Sequence, residues 1–268
     1  MQEQTITALC AALTAQQLPF AQGEPLAPHT TFKIGGPAAF WCTPRDAEQL
    51  RRTLQLCREN GVRVYLLGNG SNTLFDDAGF DGVVIDMRGL SGMENSGLDT
   101  DAVRITAGAG QTLGRLCSKV TFLDSDLQLR TLPAADLSMG YRTSIFEQNP
   151  DWSILSATVV LHRGDGAAVL ARMQELLGKR REKQPLEWPS AGSTFKRPQG
   201  AFAGKLIEDC GLRGFTVGGA QISEKHCGFV INRGGATCAD VVALTEQVRQ
   251  IVEARTGFVL EREIRVVK

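Results

Sequence analysis

The sequence lacks the features that mark several large classes of protein. It has no Cys-x-x-Cys pair, and its seven cysteines are scattered and odd in number. This pattern argues against a disulfide framework or a zinc site and favours a reducing compartment, because structural disulfides belong to oxidising ones. No apolar run is long enough to cross a membrane, and the N-terminus has no basic segment followed by an apolar one. We therefore expect a cytoplasmic protein without bound metal or membrane insertion.

The chain also has no surplus of charge of either sign. Its 29 cationic and 29 anionic residues give a formal net charge of zero. Non-specific nucleic-acid binding depends on a surplus of Lys and Arg, so nucleic acid is not expected as a partner. Hydrophobic residues make up 43% of the 268 residues, which is ordinary for a globular protein long enough to form two domains. We expect a monomer.

The most informative stretch is residues 185–215, in which prolines surround a tight turn at 191–193. The turn leaves the hydroxyl of Ser193 projecting, and Lys196 and Arg197 follow within side-chain reach. A hydroxyl on a rigid turn beside two cations can hold an anionic substrate. The alternative is a surface loop in which Ser193 satisfies local backbone groups and the two cations are solvated.

Glycines mark three places where the backbone can approach a ligand closely. A strand at 62–67 runs into a loop whose backbone N–H groups can point at phosphate oxygens, with Asn and Ser side chains as further donors. The loop pattern is neither G-x-G-x-x-G nor a Walker loop, and it also occurs in ordinary hairpin turns. A Gly-Gly-Pro turn near the N-terminus is more often structural than functional. The candidate residues are Gly35, Gly36, Gly68, Asn69, Gly70, Ser71 and Asn72, with Gly108 and Gly110 at the end of a later strand.

Arg142 is a candidate for binding a carboxylate. A guanidinium can form two parallel hydrogen bonds to a carboxylate and stays charged at all working pH values. Tyr141 and Phe146 flank Arg142 and predict a protein wall around it rather than open solvent. The alternative is a surface ion pair, for which Glu147 is close in sequence.

Glu263 is a candidate acid near the C-terminus. The pattern at 260–266 predicts a strand in which Glu263 and Arg265 share one face. The alternative is therefore an exposed acid that pairs with Arg265.

Residues 165–184 have a helical pattern. Cations suit a helix C-terminus, so the charge run at 179–183 is most simply a solvated face. Five apolar residues share the other face and are predicted to point inward: Val169, Leu170, Met173, Leu176 and Leu177.

A further helix is predicted towards the C-terminus. Thr237 and Asp240 cap its start, and it ends near Gly257. Its apolar face consists of Val241, Leu244, Val248 and Ile251.

Several of these strings together resemble the UDP-N-acetylenolpyruvoylglucosamine reductase family. They are TTFKIGGPA at 30–38, AGAG at 107–110, YRTSIF at 141–146, AGSTFK at 191–196 and LEREIR at 260–265. The resemblance implies an α+β fold, with a two-subdomain FAD-binding domain of the vanillyl-alcohol-oxidase type and a C-terminal α/β substrate-binding domain. The implied boundaries are 1–92 for the N-terminal helix and first FAD subdomain, 93–165 for the second, and 166–268 for the substrate-binding domain.

The resemblance also implies an activity. Members use NADPH and FAD to reduce UDP-N-acetylglucosamine enolpyruvate to UDP-N-acetylmuramate, a precursor of the peptidoglycan cell wall. It places the proton donor at Ser193, an active-site arginine at Arg142 and the third catalytic residue at Glu263. Lys196 and Arg197 are our candidates for the diphosphate of the nucleotide sugar, and the glycine-rich segments are those that contact FAD.

The chain departs from the family pattern after Cys117. Members have several dozen residues there, including Gly-rich segments, that wrap the flavin. Here a predicted helix at 111–117 passes directly into a predicted strand at 120–123, without the Gly, Pro or Asn usual at such a junction. The sequence therefore predicts a missing segment. One alternative depends on this gap: a nucleotide-sugar-binding descendant that has lost FAD. A second alternative, a flavin oxidase of the same domain type, is disfavoured by the AGSTFKRP string at 191–198 and by Glu263.

Overall fold

The computed structural model describes residues 1–97, 102–108, 117–162 and 164–268. Its helices are α1 (Glu3–Ala15), α2 (Ala47–Glu59), α3 (Ile145–Gln148), α4 (Gly166–Lys183), α5 (Ala203–Asp209) and α6 (Cys238–Thr256). Its strands are β1 (Phe20–Pro25), β2 (Pro37–Cys42), β3 (Val64–Leu67), β4 (Thr73–Phe75), β5 (Phe80–Asp86), β6 (Met93–Gly97), β7 (Ala102–Gly108), β8 (Cys117–Leu123), β9 (Leu129–Pro133), β10 (Ser153–His162), β11 (Ser190–Ser193), β12 (Thr216–Val217), β13 (Ala220–Ile222), β14 (Phe229–Asn232) and β15 (Arg265–Val267). None of the helices described here is both long and apolar enough to span a bilayer.

The chain forms two compact units, each built from separate segments. The first unit contains residues 1–22, 40–68 and 82–165, and the second contains residues 23–39, 69–81 and 166–268. The three-part domain division inferred from the resemblance stays a prediction.

The first unit contains a five-stranded sheet and most residues of a four-stranded one. The four-stranded sheet has the strand order β1-β2-β5-β3, in which β3 and β5 are parallel and Val64 pairs with Val83. Val83, Val84 and Ile85 of β5 are fully buried, as expected for a parallel strand covered on both faces, whereas β3 is half-buried up to its last residue, Leu67. The second sheet has five strands in the order β6-β7-β10-β8-β9, and the neighbouring strands are antiparallel.

The connection between β7 and β8 is short for its topology. Both strands pair antiparallel with β10, with Gly108 opposite Ser156 and Cys117 opposite Val159. The two strands are therefore parallel to each other, and eight residues, 109–116, lie between them. Parallel strands are usually joined by a dozen or more residues. Cys117 is the first residue of β8, so the predicted helix does not reach it; residues 111–116 lie outside the described part of the chain.

The second unit has its own hydrophobic core. A four-stranded sheet in the order β11-β14-β13-β12 packs with α5 and α6 around buried side chains that include Phe195, Ile207, Val230 and Leu244. Strands β15 and β4 form a parallel pair with Arg265 opposite Thr73. The core residues come from all three segments of the unit, since Phe32 and Leu74 belong to it too.

Helix α6 confirms the prediction made from its sequence. The Thr237 hydroxyl accepts a hydrogen bond from the N–H of Asp240, and the Asp240 carboxylate accepts one from the N–H of Thr237. The hydrogen bonds from the N–H groups of Thr237 and Gly219 hold the pKa of Asp240 below its ordinary value. Val241, Leu244 and Val248 are fully buried.

Helix α4 contradicts the prediction that its apolar face points inward. The five apolar side chains of that face are between 48% and 55% exposed: Val169, Leu170, Met173, Leu176 and Leu177. The helical period was right, because residues 166–183 do form the helix. The spacing of apolar residues along a helix identifies which side chains share a face. It does not show whether another part of the protein covers that face.

Candidate functional site

Ser193 lies at the end of β11 with its side chain exposed to solvent. The predicted turn at 191–193 is instead a strand with a bulge: Ser190 pairs with Ile231 and Ser193 with Phe229, so one residue more is accommodated on β11 than on β14. Gly192, at φ +76°, supplies the left-handed backbone. Bulges re-aim the following side chain and are common beside active sites.

Thr194 ties the Ser193 strand to two other segments. Its N–H donates to the carbonyl of Gly228 at 2.9 Å, and its buried hydroxyl accepts from the N–H of Val230 at 2.9 Å. Its carbonyl accepts from the N–H of Glu263 at 2.8 Å. The backbone next to Ser193 is therefore hydrogen-bonded to residues 228–230 on one side and to Glu263 on the other.

Replacement of Thr194 by valine is expected to lower the free energy of unfolding by about 1–3 kcal/mol. Valine has nearly the same shape but no acceptor, so the buried N–H of Val230 would lose its partner. Urea denaturation measures the change. Ser193→Ala is the matched control: it removes an exposed neighbouring hydroxyl and is expected to alter stability by no more than about 0.5 kcal/mol. Equal stability of the two variants would contradict the role assigned to Thr194.

Glu263 is half-buried and also contacts the glycine-rich loop. The side-chain amide of Asn72 donates to the carbonyl of Glu263 at 3.1 Å, and the carbonyl of Asn72 accepts from the N–H of Arg265 at 3.0 Å. The regular strand starts only at Arg265, and Arg262 forms a single bridge with Phe195. The predicted strand at 260–266 is therefore wrong in its first half, because these backbone groups bond to two different segments.

Three sequence-predicted stretches thus meet within the second unit. They are the loop at 69–72, the run at 193–197 and the run at 261–265. Sequence reasoning missed two residues that hold them together, Thr194 and Thr31. Each is a threonine followed directly by phenylalanine and lysine, and the available signal was that threonine hydroxyls often satisfy backbone groups.

Lys196 and Arg197 each have a contact within the second unit. The ammonium of Lys196 forms an ion pair with the carboxylate of Glu261, and the Lys196 side chain is 37% exposed. The guanidinium of Arg197 lies 3.9 Å from the ring centroid of Phe202. Exposed ion pairs contribute about 0–1 kcal/mol, so an anionic ligand can compete with Glu261 for Lys196. Their role in binding the diphosphate stays a prediction.

The glycine-rich loop has one packed side and one open side. Gly70 has φ +60°, and a Cβ there would come within 2.4 Å of the carbonyl oxygen of His29. Its carbonyl accepts from the N–H of Thr31 at 3.1 Å, while the Thr31 hydroxyl donates to the carbonyl of Ser190 at 2.7 Å. Asn69 and Ser71 are exposed. The donor set on the open side, neutral side chains and backbone, suits the pyrophosphate of FAD.

Gly68 is the last residue of segment 40–68 of the first unit. A Cβ added to Gly68 would meet no atom within 4 Å. Gly35 and Gly36 are different, because neighbouring atoms already fill the space beside them: the Cβ atom of Phe75 beside Gly35, and backbone atoms beside Gly36. A Cβ on Gly36 would come within 2.3 Å of the carbonyl oxygen of Asp77. These two glycines therefore have a packing role, and contact with the cofactor stays a prediction for them.

Arg142 lies in the first unit at the corner of a tight turn. Its φ is +58°, and the turn is closed by a hydrogen bond from the N–H of Gly140 to the carbonyl of Thr143 at 3.0 Å. The prediction that Tyr141 shields Arg142 from solvent is wrong, because Tyr141 is 63% exposed. Phe146 does pack, at 5.2 Å between ring centroids from Phe122. The approach of Arg142 to Ser193 and Glu263 stays a prediction.

The second glycine pair is only partly described. Gly108 is the last residue of β7, which fits its predicted place at a strand end. Gly110 lies outside the described residues, so its predicted contact with the cofactor is not addressed by the structure.

Two family models match this chain. The model described as UDP-N-acetylenolpyruvoylglucosamine reductase, C-terminal domain, matches residues 184–267, and one described as FAD binding domain matches residues 38–122. The second match ends within β8 and includes the loop at 68–72. The predicted α+β fold with an FAD-binding domain and a C-terminal substrate domain is confirmed.

Similar proteins cover nearly the whole chain. UDP-N-acetylenolpyruvoylglucosamine reductase from Lachnoclostridium phytofermentans is 37% identical over 284 residues, covering 91% of each chain. The protein of the same name from Clostridium perfringens is 38% identical over 279 residues, again covering 91% of each. The crystal structure of UDP-N-acetylenolpyruvylglucosamine reductase (MurB) from Thermus caldophilus is 27% identical, has a TM-score of 0.69, and covers 94% of this chain and 99% of that one.

The lengths of these alignments agree with a missing segment. The alignment with the Lachnoclostridium protein extends over 284 positions, which is more than the 268 residues of this chain. That relative therefore has residues with no counterpart here. The identity and coverage nevertheless leave the assignment unchanged: the chain belongs to the UDP-N-acetylenolpyruvoylglucosamine reductase family.

Proposed function

We propose that the protein is an FAD-containing, NADPH-dependent reductase that converts UDP-N-acetylglucosamine enolpyruvate to UDP-N-acetylmuramate. Membership of the family and the names of its relatives support this assignment. The proposed setting is peptidoglycan precursor synthesis in the cytoplasm. Residues 1–92 and 93–165 are assigned to the two FAD subdomains and residues 166–268 to substrate binding.

One observation carries the proposal. The N–H of Glu263 donates to the carbonyl of Thr194, the residue that follows Ser193. Two residue types that acid-base chemistry needs, a hydroxyl and a carboxyl, are therefore attached to one backbone junction although 70 positions separate them in sequence. A flavin oxidase has no requirement for this junction, and the reductase model at 184–267 covers it.

The reaction adds a hydride to C3 and a proton to C2 of the enol ether. When bound, FAD supplies the hydride that it receives from NADPH. Ser193 delivers the proton from its hydroxyl to C2. A serine hydroxyl is a weak acid, so the step depends on neighbouring groups that stabilise the charge left behind.

Two charged residues organise the negative charge that develops at C2 and the substrate carboxylate. Arg142 binds the carboxylate directly, because a guanidinium matches the two carboxylate oxygens. Glu263 acts as a protonated donor or through a water molecule. Lys196 and Arg197 hold the diphosphate, with Lys196 exchanging its exposed pairing to Glu261 for the phosphate oxygens.

The FAD pyrophosphate is assigned to the open side of the glycine-rich loop. The assigned residues are Gly68, Asn69, Gly70, Ser71 and Asn72. Asn69 and Ser71 present exposed side chains there, and Gly68 leaves its backbone accessible. Gly35, Gly36, Gly108 and Gly110 are assigned to the same cofactor from the family resemblance.

A second candidate function is a nucleotide-sugar-binding protein that has lost FAD. The observation in its favour is the eight-residue connection between β7 and β8, together with the alignments that exceed the chain in length. Parallel strands normally need a longer connection. Under this second candidate function, the chain lacks, between β7 and β8, a segment that helps to enclose the flavin in relatives.

The absorption spectrum of the purified protein tests the two candidates. The reductase is expected to show flavin bands in the visible range, either as purified or after incubation with FAD and removal of the unbound FAD. It is expected to oxidise more than one equivalent of NADPH per bound FAD only when the enolpyruvyl nucleotide sugar is present. The binding protein would show no flavin bands even after incubation with FAD. In that case calorimetric titration with the nucleotide sugar would still give a binding isotherm.

A further inference from the structure

Phe202 is a large aromatic residue that is 60% exposed within the described part of the chain. Single exposed apolar residues are ordinary on protein surfaces. Phe202 differs from an ordinary one because its backbone is fixed, because a cation covers one face of its ring, and because that cation is a candidate ligand for the diphosphate. All the residues concerned belong to segment 166–268 of the second unit.

A tight turn brings Phe202 beside Arg197. The N–H of Ala201 donates to the carbonyl of Pro198 at 3.4 Å, and Gly200 has φ +79°, the left-handed value that the third position of a type II turn requires. The chain therefore reverses its direction between residues 197 and 202. Their side chains meet although five positions separate them in sequence.

The start of α5 fixes the backbone of Phe202. Its carbonyl accepts from the N–H of Lys205 at 3.0 Å and from the N–H of Leu206 at 3.1 Å. Ala203 and Ile207 anchor this helix, since both are buried in the core of the second unit. The ring is therefore carried by an ordered segment, and a ligand that covers it has little backbone freedom to remove.

The guanidinium of Arg197 lies over one face of the Phe202 ring, 3.9 Å from its centroid. The ring face attracts the cation, and a guanidinium stacked in this way keeps the N–H groups at its edge available to phosphate oxygens. The exposure of Phe202 leaves the rest of its ring available to a second planar group.

The covalent structure of a nucleoside diphosphate relates the two parts of this site. The base is joined to the diphosphate through a single ribose, so a site that holds the diphosphate needs a surface for the base nearby. Lys196 and Arg197 are the residues proposed for the diphosphate, and Phe202 is an exposed aromatic residue in contact with Arg197. Aromatic side chains bind bases by stacking on their faces.

We propose that the uracil base of the nucleotide sugar stacks on the ring of Phe202. This inference rests on the proposed function, because it assumes that Lys196 and Arg197 hold the diphosphate. Arg197 covers one face of the ring, and the base covers the exposed remainder. Phe202 is therefore a specificity-determining residue for the nucleotide part of the substrate.

Calorimetric titration with UDP and with 5,6-dihydro-UDP tests the proposal. The full chain is first incubated with FAD and freed of unbound FAD, so that the glycine-rich loop is occupied. The dihydro base keeps the carbonyl and N–H groups of uracil but is neither aromatic nor planar, so it stacks poorly. The wild type is expected to bind UDP about 5- to 30-fold more tightly than dihydro-UDP, the usual contribution of one stacked base.

Two substitutions of Phe202 assign this preference to its ring. Phe202→Leu is expected to bind both nucleotides equally and with the weaker affinity, whereas Phe202→Tyr is expected to keep the preference of the wild type. Leu186→Ala is the matched control, because Leu186 is an exposed apolar residue of the same unit that has no assigned contact with the ligand. It is expected to keep the preference too. Circular dichroism confirms that the variants fold.

Inorganic pyrophosphate, which has no base, separates stacking from an effect through Arg197. Phe202→Leu is expected to lose much less affinity for pyrophosphate than for UDP. An equal loss for the two ligands would show that Phe202 acts only by orienting Arg197, and it would overturn the proposal.

The outcomes also separate this inference from the proposed function. A wild type that reduces the enolpyruvyl substrate but binds UDP and dihydro-UDP equally would overturn the stacking alone. A wild type that binds neither nucleotide and does not reduce the substrate would overturn the proposed function, and the inference with it.

Discussion

Replacement of Ser193 by alanine is expected to slow reduction of the enolpyruvyl substrate by about 10²–10⁴-fold, the usual contribution of a positioned proton donor. Reduction of the bound flavin by NADPH is expected to proceed at the wild-type rate, because that half-reaction needs no proton on C2 of the substrate. The fold is expected to be intact, since the Ser193 side chain is exposed and the strand is held by the backbone groups of Thr194.

Stopped-flow absorbance of the flavin-loaded protein separates the two half-reactions. Loss of the flavin band after mixing with NADPH reports the first, and its return after mixing with substrate reports the second. Ser190→Ala is the matched control, because Ser190 begins the same strand and its known contacts to Thr31 are made by backbone atoms. If both half-reactions slowed equally in Ser193→Ala, the hydroxyl would not be the proton donor.

Replacement of Gly36 by alanine is expected to lower the free energy of unfolding by about 3 kcal/mol, the upper end of the usual cost of overpacking. A Cβ at this position would lie 2.3 Å from the carbonyl oxygen of Asp77 and 2.5 Å from the backbone nitrogen of Gly79. Both obstacles are backbone atoms, which cannot turn away as a flexible side chain can. The effect is expected in the cofactor-free protein, because the clash is with the chain itself.

Gly68→Ala provides the matched comparison. A Cβ there meets open space, so the free energy of unfolding is expected to change by no more than about 0.5 kcal/mol. If the loop holds the FAD pyrophosphate, the same variant is expected to bind FAD more weakly, because the added methyl group occupies the open side. Urea denaturation without cofactor and fluorescence titration with FAD measure the two effects. Wild-type stability of Gly36→Ala would contradict the packing role of Gly36.

The contrast between α4 and α6 shows how far helical patterns can be interpreted from sequence. Both have apolar residues at helical spacing, and both form helices over the expected ranges. The caps of α6 are local, with Thr237 and Asp240 three residues apart, so sequence was sufficient to predict them. Whether the apolar face is buried depends on residues far along the chain, and the two helices differ in this respect.

The candidate site likewise combines features that the local sequence predicts with features that depend on distant residues. The string at 191–197 and the acid at 263 were recognisable in sequence because their residue types and spacing resemble a known family. The bulge at Gly192 was not predicted, since it arises from the unequal pairing of β11 with β14. Tyr141 was expected in a wall and is exposed, because an aromatic residue next to an arginine does not specify what lies beyond it.

Sequence alone determined the family, the ranges of helices α4 and α6 and the chemically competent residue types, because each of these is recognised from short runs of neighbouring residues. Only the tertiary structure decided that Thr194 joins Ser193 to Glu263, that Gly36 is packed against Asp77, and that the apolar side chains of α4 are about half exposed. These three facts depend on which distant backbone segments approach each other. That approach follows from the packing of whole elements, which local propensity and spacing do not encode.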